Sequence, residues 1–175
     1  VKWIRKAALQ GNYWGQYNLG IMHRDGSGVL EDRMQAFNWF LKSGEQGFAR
    51  AQTELGMIYS LGNGVPSDVK EAAKWYRKAA EQKHALGAYF LARMYHNGTG
   101  VLEDDKEAFK WYFVAAEQGD EDAQSQVGYM LCQGEGVRED DREGLKWLRK
   151  AAEQGHVLAS YNLAYAYDEG EGVLE

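Results

Sequence analysis

The chain has 175 residues, a formal net charge of −6 and a single cysteine, Cys132. The acidic balance argues against a nucleic-acid backbone as the main partner, because such proteins present a basic face, and a lone cysteine excludes an internal disulfide framework. No apolar run reaches the roughly 20 residues that span a bilayer, and no stretch reads as a signal peptide, so the chain is expected to be soluble, with its compartment left open.

Residues 1–11 read as the end of a helix in which Trp3, Ala7 and Ala8 lead to Gln10-Gly11. Four full units follow, over residues 12–47, 48–83, 84–119 and 120–155, and a truncated fifth over 156–175. Trp3, Trp39, Trp75, Trp111 and Trp147 stand 36 residues apart with no insertion between them. A fixed period in this range marks an all-α solenoid built from one supersecondary unit, taken here as a single array over 1–175. Both ends read as cut: Val1 is not an initiator, and Val173-Leu174-Glu175 stops where Val29-Leu30-Glu31 continues into Asp32. A longer parent array and a cloning joint at Leu174-Glu175 explain this equally.

Each unit reads as helix, short loop, helix. In the unit from Phe48, Ala51, Leu55 and Tyr59 are spaced by four and form the apolar stripe of a first helix of ~12 residues. A small residue follows the large one at Gly20, Gly56, Ala92, Gly128 and Ala164, which implies close approach of a neighbouring helix. The first helix is expected to end at Gly26, Gly62, Gly98, Gly134 and Gly170, since glycine takes the left-handed cap conformation without steric cost. A second glycine two residues on, then a valine, is expected to pin the loop.

The second helix opens with capping boxes, Asp32…Gln35, Asp68…Glu71, Asp104…Glu107 and Asp140…Glu143. Ala72, Trp75, Tyr76, Ala79 and Ala80 form its buried stripe, and Gln-Gly pairs close it at Gly47, Gly119 and Gly155. The second unit departs from this: Lys83 stands where the glycine belongs, so its cap is either strained or built differently.

The pattern Ala-x3-Leu-Gly-x2-Tyr-x2-Gly-x-Gly-Val-x2-Asp-x3-Ala-x2-Trp-Tyr-x-Lys-Ala-Ala-x-Gln-Gly, best kept over Ala51 to Lys83, resembles the Sel1-like repeat, a relative of the tetratricopeptide repeat. The fourth unit keeps it least, with Leu131 for the tyrosine and Gly144 for the alanine. The resemblance covers essentially the whole chain. It implies antiparallel helix pairs stacked in a right-handed superhelix, an adaptor or scaffold role, and no shared active site. Cysteine-rich members linked to penicillin binding hold each repeat with a disulfide; a single cysteine removes that framework, and the activity is not carried over.

The resemblance also implies that the first-helix face opposite the Leu55/Tyr59 stripe lines a concave groove. Along the chain that face comprises Trp14, Tyr17, Ile21, Arg24 and Asp25; then Arg50, Thr53, Met57, Ser60 and Leu61; then Leu86, Tyr89, Arg93, His96 and Asn97. Asp122, Ser125, Tyr129, Cys132 and Gln133 follow, and Leu158, Tyr161, Tyr165, Asp168 and Glu169 complete it. These positions are not repeat consensus and are rich in Trp, Tyr and Arg, the residue types enriched at binding hot spots. The expected partner is an extended or helical peptide in a groove running from basic to acidic. The competing reading is that the aromatics close gaps between repeats. Phe113 and Val114, with Leu41, suggest a second patch on the convex side.

No cofactor, metal or catalytic residue is expected. The Gly-x-Gly motifs follow helices and recur in phase, so packing accounts for them. His23, His84, His96 and His156 show no metal-ligand spacing. Cys132 with His96 is the one nucleophile–base pairing the columns allow, and nothing in the sequence orients the histidine. The leading expectation is therefore a non-catalytic protein-interaction module. The alternatives are a structural segment that self-associates head to tail through open repeat faces, and a hydrolase or small-ligand site near His96 and Cys132.

Overall fold

A computed structural model of the chain describes residues 1–169, with side chains through Asp168. Gly170, Gly172 and the Val173-Leu174-Glu175 end, together with the side chain of Glu169, lie outside the described residues. Among the described residues there are ten helices and no strand: α1 (Lys2–Leu9), α2 (Tyr13–Asp25), α3 (Arg33–Glu45), α4 (Ala49–Leu61), α5 (Val69–Glu81), α6 (Ala85–His96), α7 (Asp105–Glu117), α8 (Glu121–Gln133), α9 (Asp141–Glu153) and α10 (Val157–Glu169). They form two compact units, residues 1–87 and residues from 88 onward. Helices pack on their neighbours in sequence: α1 on α2, α2 on α3, α3 on α4 and α4 on α5 in the first unit, and α7 on α8, α8 on α9 and α9 on α10 in the second.

The caps follow from the sequence, with one change. Asp32, Asp68, Asp104 and Asp140 each accept the backbone N–H three residues on through their side chains. Each such cap is worth about 1 kcal/mol. The reciprocal half of the capping box is replaced. The N–H of each Asp donates instead to a carbonyl nine residues back, Asp32 to His23, Asp68 to Tyr59, Asp104 to Tyr95 and Asp140 to Leu131. The preceding helix thus holds the start of the next. The glutamates freed from that duty turn outward to lysines three residues on, as in Glu71–Lys74 at 2.7 Å and Glu143–Lys146 at 2.8 Å.

First helices end as expected: Gly26, Gly62, Gly98 and Gly134 take φ between 62° and 73°. Lys83 adopts the same left-handed conformation, φ 59°, where Gly47, Gly119 and Gly155 hold φ 90°, 93° and 97°. The lysine therefore carries the backbone strain that its neighbours avoid. The second loop glycine has a different role. A Cβ on Gly64 would stand 2.9 Å from the carbonyl of Arg33, so the loop of one repeat rests backbone to backbone on the first turn of α3.

The small residues mark the closest helix approaches. A Cβ on Gly20 would meet the Phe40 ring at 2.7 Å, and one on Gly128 would meet Leu148 at 2.7 Å; Gly56 faces the ring of Tyr76 in the same way. The first unit's core is Ala36, Phe37, Phe40, Leu55, Ile58 and Trp75, joined by Tyr17, Ile21, Leu41, Tyr59 and Val65. That of the second gathers Leu145, Leu148, Ala151, Ala159 and Ala166, with Cys132 and Leu163. Each fully buried large side chain contributes about 1.5–3 kcal/mol.

Glutamines tie the two helices of a repeat to each other and to the repeat before. Gln46 donates to Gln16 at 2.6 Å, Gln82 to Gln52 at 2.8 Å and Gln154 to Gln124 at 2.8 Å. The inner member of each pair donates in turn to a buried carbonyl, Gln16 to Ala8, Gln52 to Gly44 and Gln124 to Ala116. The tryptophan column is roofed by lysines, with Lys42 over Trp39, Lys78 over Trp75 and Lys150 over Trp147 at 4.4, 3.8 and 3.7 Å from the ring centroids. Where Val114 replaces that lysine, Lys110 covers Trp111 and the indole N–H donates to Glu107.

Candidate interaction face

The expected groove residues divide into two groups. The first closes the joints between repeats. Residues 12, 48, 84, 120 and 156 immediately precede the first helices, and Phe48, His84 and His156 meet the preceding repeat's first helix near its start. Phe48 stacks with Tyr13, Trp14 and Tyr17, with ring centroids 5.0–5.1 Å apart. Nδ1 of His84 stands 3.0 Å from Oγ1 of Thr53 and accepts the Gly87 N–H at 3.4 Å. His156 accepts the Ala159 N–H on Nδ1, which leaves Nε2 protonated to donate to Asp122 at 3.1 Å. Asp120 caps α8 through the Ala123 N–H, and burial raises its carboxyl above the usual value.

Thr53 and Ser125, expected on the groove, are buried in these joints. Tyr17 packs on Phe40 as well as Phe48 and belongs to the core margin. Tyr89 stacks on the buried Tyr112, and Arg93 lies over the Tyr89 ring. His96 places Nδ1 3.1 Å from Asp105, whereas Cys132 packs against Gly144 of α9, so the two have different neighbours. The charge gradient is blunted at its basic end, because Arg24 answers Asp25 at 2.8 Å and Glu54 at 2.9 Å. On the other side of the helix pairs, Phe113 stacks edge-on against Trp147, 5.4 Å between centroids. Of the expected convex patch, Phe113 is therefore engaged between neighbouring second helices, and Leu41 packs against the first unit's core.

The second group is accessible. Trp14 is 42% exposed, Tyr129 42%, Tyr161 67% and Tyr165 56%. Arg50 lies over Trp14 with its guanidinium carbon 5.6 Å from the ring centroid. Met57, half-buried, lines a cavity of about 270 Å³ floored by Phe40 and Ile58 and rimmed by the Arg24–Glu54 pair and Arg33. In the second unit a cavity of about 230 Å³ is lined by Tyr129, Cys132, Leu148, Asn162, Tyr165 and Ala166. The two cavities are equivalent in the repeat: Phe40, Glu54, Met57 and Ile58 correspond to Leu148, Asn162, Tyr165 and Ala166. One kind of joint thus provides an ion-rimmed socket in one unit and a neutral, tyrosine-flanked socket in the other.

Sequence reasoning missed the joint contacts of Phe48, His84 and His156. The available signal was their shared phase, together with chemistry that matches the preceding repeat: aromatic beside aromatic, histidine beside acid.

Ten helices in paired, ladder-like packing with one repeated joint define an α/α-solenoid repeat protein. The Sel1 repeat profile matches residues 1–12, 15–48, 49–84, 85–120, 121–156 and 157–175, and the chain belongs to the Sel1 repeat family. It is 40% identical to a protective antigen of uropathogenic Escherichia coli with an SLR fold (TM-score 0.94), over 99% of this chain and 37% of that one. A Sel1 repeat protein from Oxalobacter formigenes is 38% identical (TM-score 0.89), over 94% of this chain and 68% of that one. Cysteine rich protein B of Helicobacter pylori is 25% identical (TM-score 0.60), over 76% of this chain and 96% of that one. The chain thus spans little more than a third of the Escherichia coli antigen's length. No curated protein matches it. Proteins of this family generally act as non-catalytic scaffolds for protein–protein interaction.

Proposed function

We propose that residues 1–175 act as one repeat array whose first-helix face holds a peptide segment of a partner protein. The observation that carries this reading is the accessibility of Tyr129 and Tyr165 on either side of an uncharged cavity. Core packing does not require two tyrosines at the rim of a socket, whereas a side chain inserted between them would gain contact area on both faces. Asn162 in the same socket supplies an amide that can bond a peptide backbone, the mix of apolar wall and few polar groups typical of binding sites. The accessible face of Trp14 and the cavity beside Met57 would extend the contact over the first unit.

A peptide-display selection against the folded chain tests this. The parent is expected to enrich a common motif, and Tyr129→Ala/Tyr165→Ala is expected to lose it while keeping the parent's circular dichroism. No enrichment by the parent, or the same motif recovered by the variant, would remove the face from consideration.

A further inference from the structure

Deepening the peptide-binding reading, on which it rests, we infer that the depression around Arg50 in the first unit receives an acidic side chain of the partner peptide. It is an open space of about 410 Å³ whose walls include Phe48, Arg50, Gln46, Gln82 and His84. No aspartate or glutamate lines it, in a chain whose net charge is −6. Arg50 supplies its formal charge. Arg24 and Arg33 of the same unit each stand within ion-pair distance of a carboxylate, whereas among the described residues Arg50 has no such partner. Its guanidinium rests on the Trp14 ring instead, at 5.6 Å. This cation–π contact restrains the side chain without a carboxylate partner, so less conformational freedom is lost when an anion arrives.

The field of Arg50 is felt across the depression. The pKa of His84 is lowered, first by burial and then by the Arg50 charge. A single arginine of this kind suits a singly charged carboxylate. Dianionic phosphate groups are taken by clusters of arginines, and no second arginine lines this depression.

The test titrates the 15N-labelled chain with a twelve-residue peptide of alternating Gly and Asp, with its Gly-Asn counterpart, and with inorganic phosphate. The readout is the Trp14 indole N–H resonance, assigned by its loss in Trp14→Phe. The Asp peptide is expected to shift that resonance saturably, the Asn peptide to leave it in place, and Arg50→Gln to weaken the Asp peptide about tenfold or more, as expected for loss of a charge-assisted hydrogen bond. Equal response to the Asn peptide, unchanged affinity in Arg50→Gln, no saturation by the Asp peptide, or tighter binding of phosphate would overturn the assignment. The parent titration alone already decides the carboxylate question should Arg50→Gln fold poorly. If the display selection still returns a motif that depends on Tyr129 and Tyr165, the interaction face stands and only its acidic specificity falls.

Discussion

Replacing Trp75 by alanine is the sharpest probe of how the repeats hold together. Trp75 is 5% exposed and packs in the core of Ala36, Phe37, Phe40, Leu55 and Ile58. Removing a buried tryptophan costs about 3–5 kcal/mol. Two smaller terms act in opposite directions. Lys78, 3.8 Å from the ring centroid, loses a cation–π contact worth about 0.5–1 kcal/mol. The indole N–H is buried with no hydrogen-bond partner among the described residues, and its removal relieves about 1 kcal/mol or more. The two terms roughly cancel, so the packing figure stands. Urea unfolding followed by far-ultraviolet circular dichroism would measure it, with Trp3→Ala as the internal control. Trp3 shares the repeat phase of Trp75 but is 73% exposed, so its loss should change stability by no more than about 0.5 kcal/mol. A Trp75→Ala loss below about 1 kcal/mol, or equal losses at both positions, would refute the argument that burial, and not repeat phase, sets the energy.

Lys83→Gly should raise the melting temperature. Relief of about 1–2 kcal/mol of left-handed strain exceeds the roughly 0.4–1 kcal/mol of added chain entropy in the unfolded state, and a lower melting point would show that the lysine is not strained. Gly56→Ala should destabilise by about 1–3 kcal/mol, since the new methyl would enter the space of the Tyr76 ring; the lower end is expected because Ala92 fills the equivalent position. No change in the denaturation midpoint would mean that the helices separate freely. His84 has a folded pKa below its unfolded value of about 6.5, so it favours the folded state above pH 6.5 and loses that contribution as pH falls through the lowered folded pKa. The parent should therefore lose more stability between pH 7.5 and pH 5 than His84→Asn, and equal pH dependence in the two proteins would count against it.

Much of the fold was legible because each repeat states it again. Asp68 with Glu71, Gly62 with Gly64, and Trp75 with Ala79 are local signals read within one helix or one turn, and repetition in phase separates them from chance. The candidate site was less legible. A helical wheel placed Thr53 with Met57 and Ser125 with Tyr129, yet Thr53 and Ser125 are buried while Tyr129 is exposed. The wheel treats a helix as isolated. Here the first residue of the following repeat covers one turn of the face and leaves the next turn open.

The sequence by itself determined the 36-residue period, the ends of most helices, the buried stripes and the irregular cap at Lys83, because these depend on backbone propensity and side-chain spacing within a few residues. Only the tertiary structure decided which partners those residues take. The Gln52–Gln82 bond spans 30 residues, Asp68 gives its N–H to Tyr59 instead of closing its capping box, and Arg24 is neutralised by Glu54 while Arg50 lies over Trp14 with no carboxylate partner among the described residues. Each depends on where a second helix lies, in the same repeat or the next, and a pattern read along one helix carries no record of that distance.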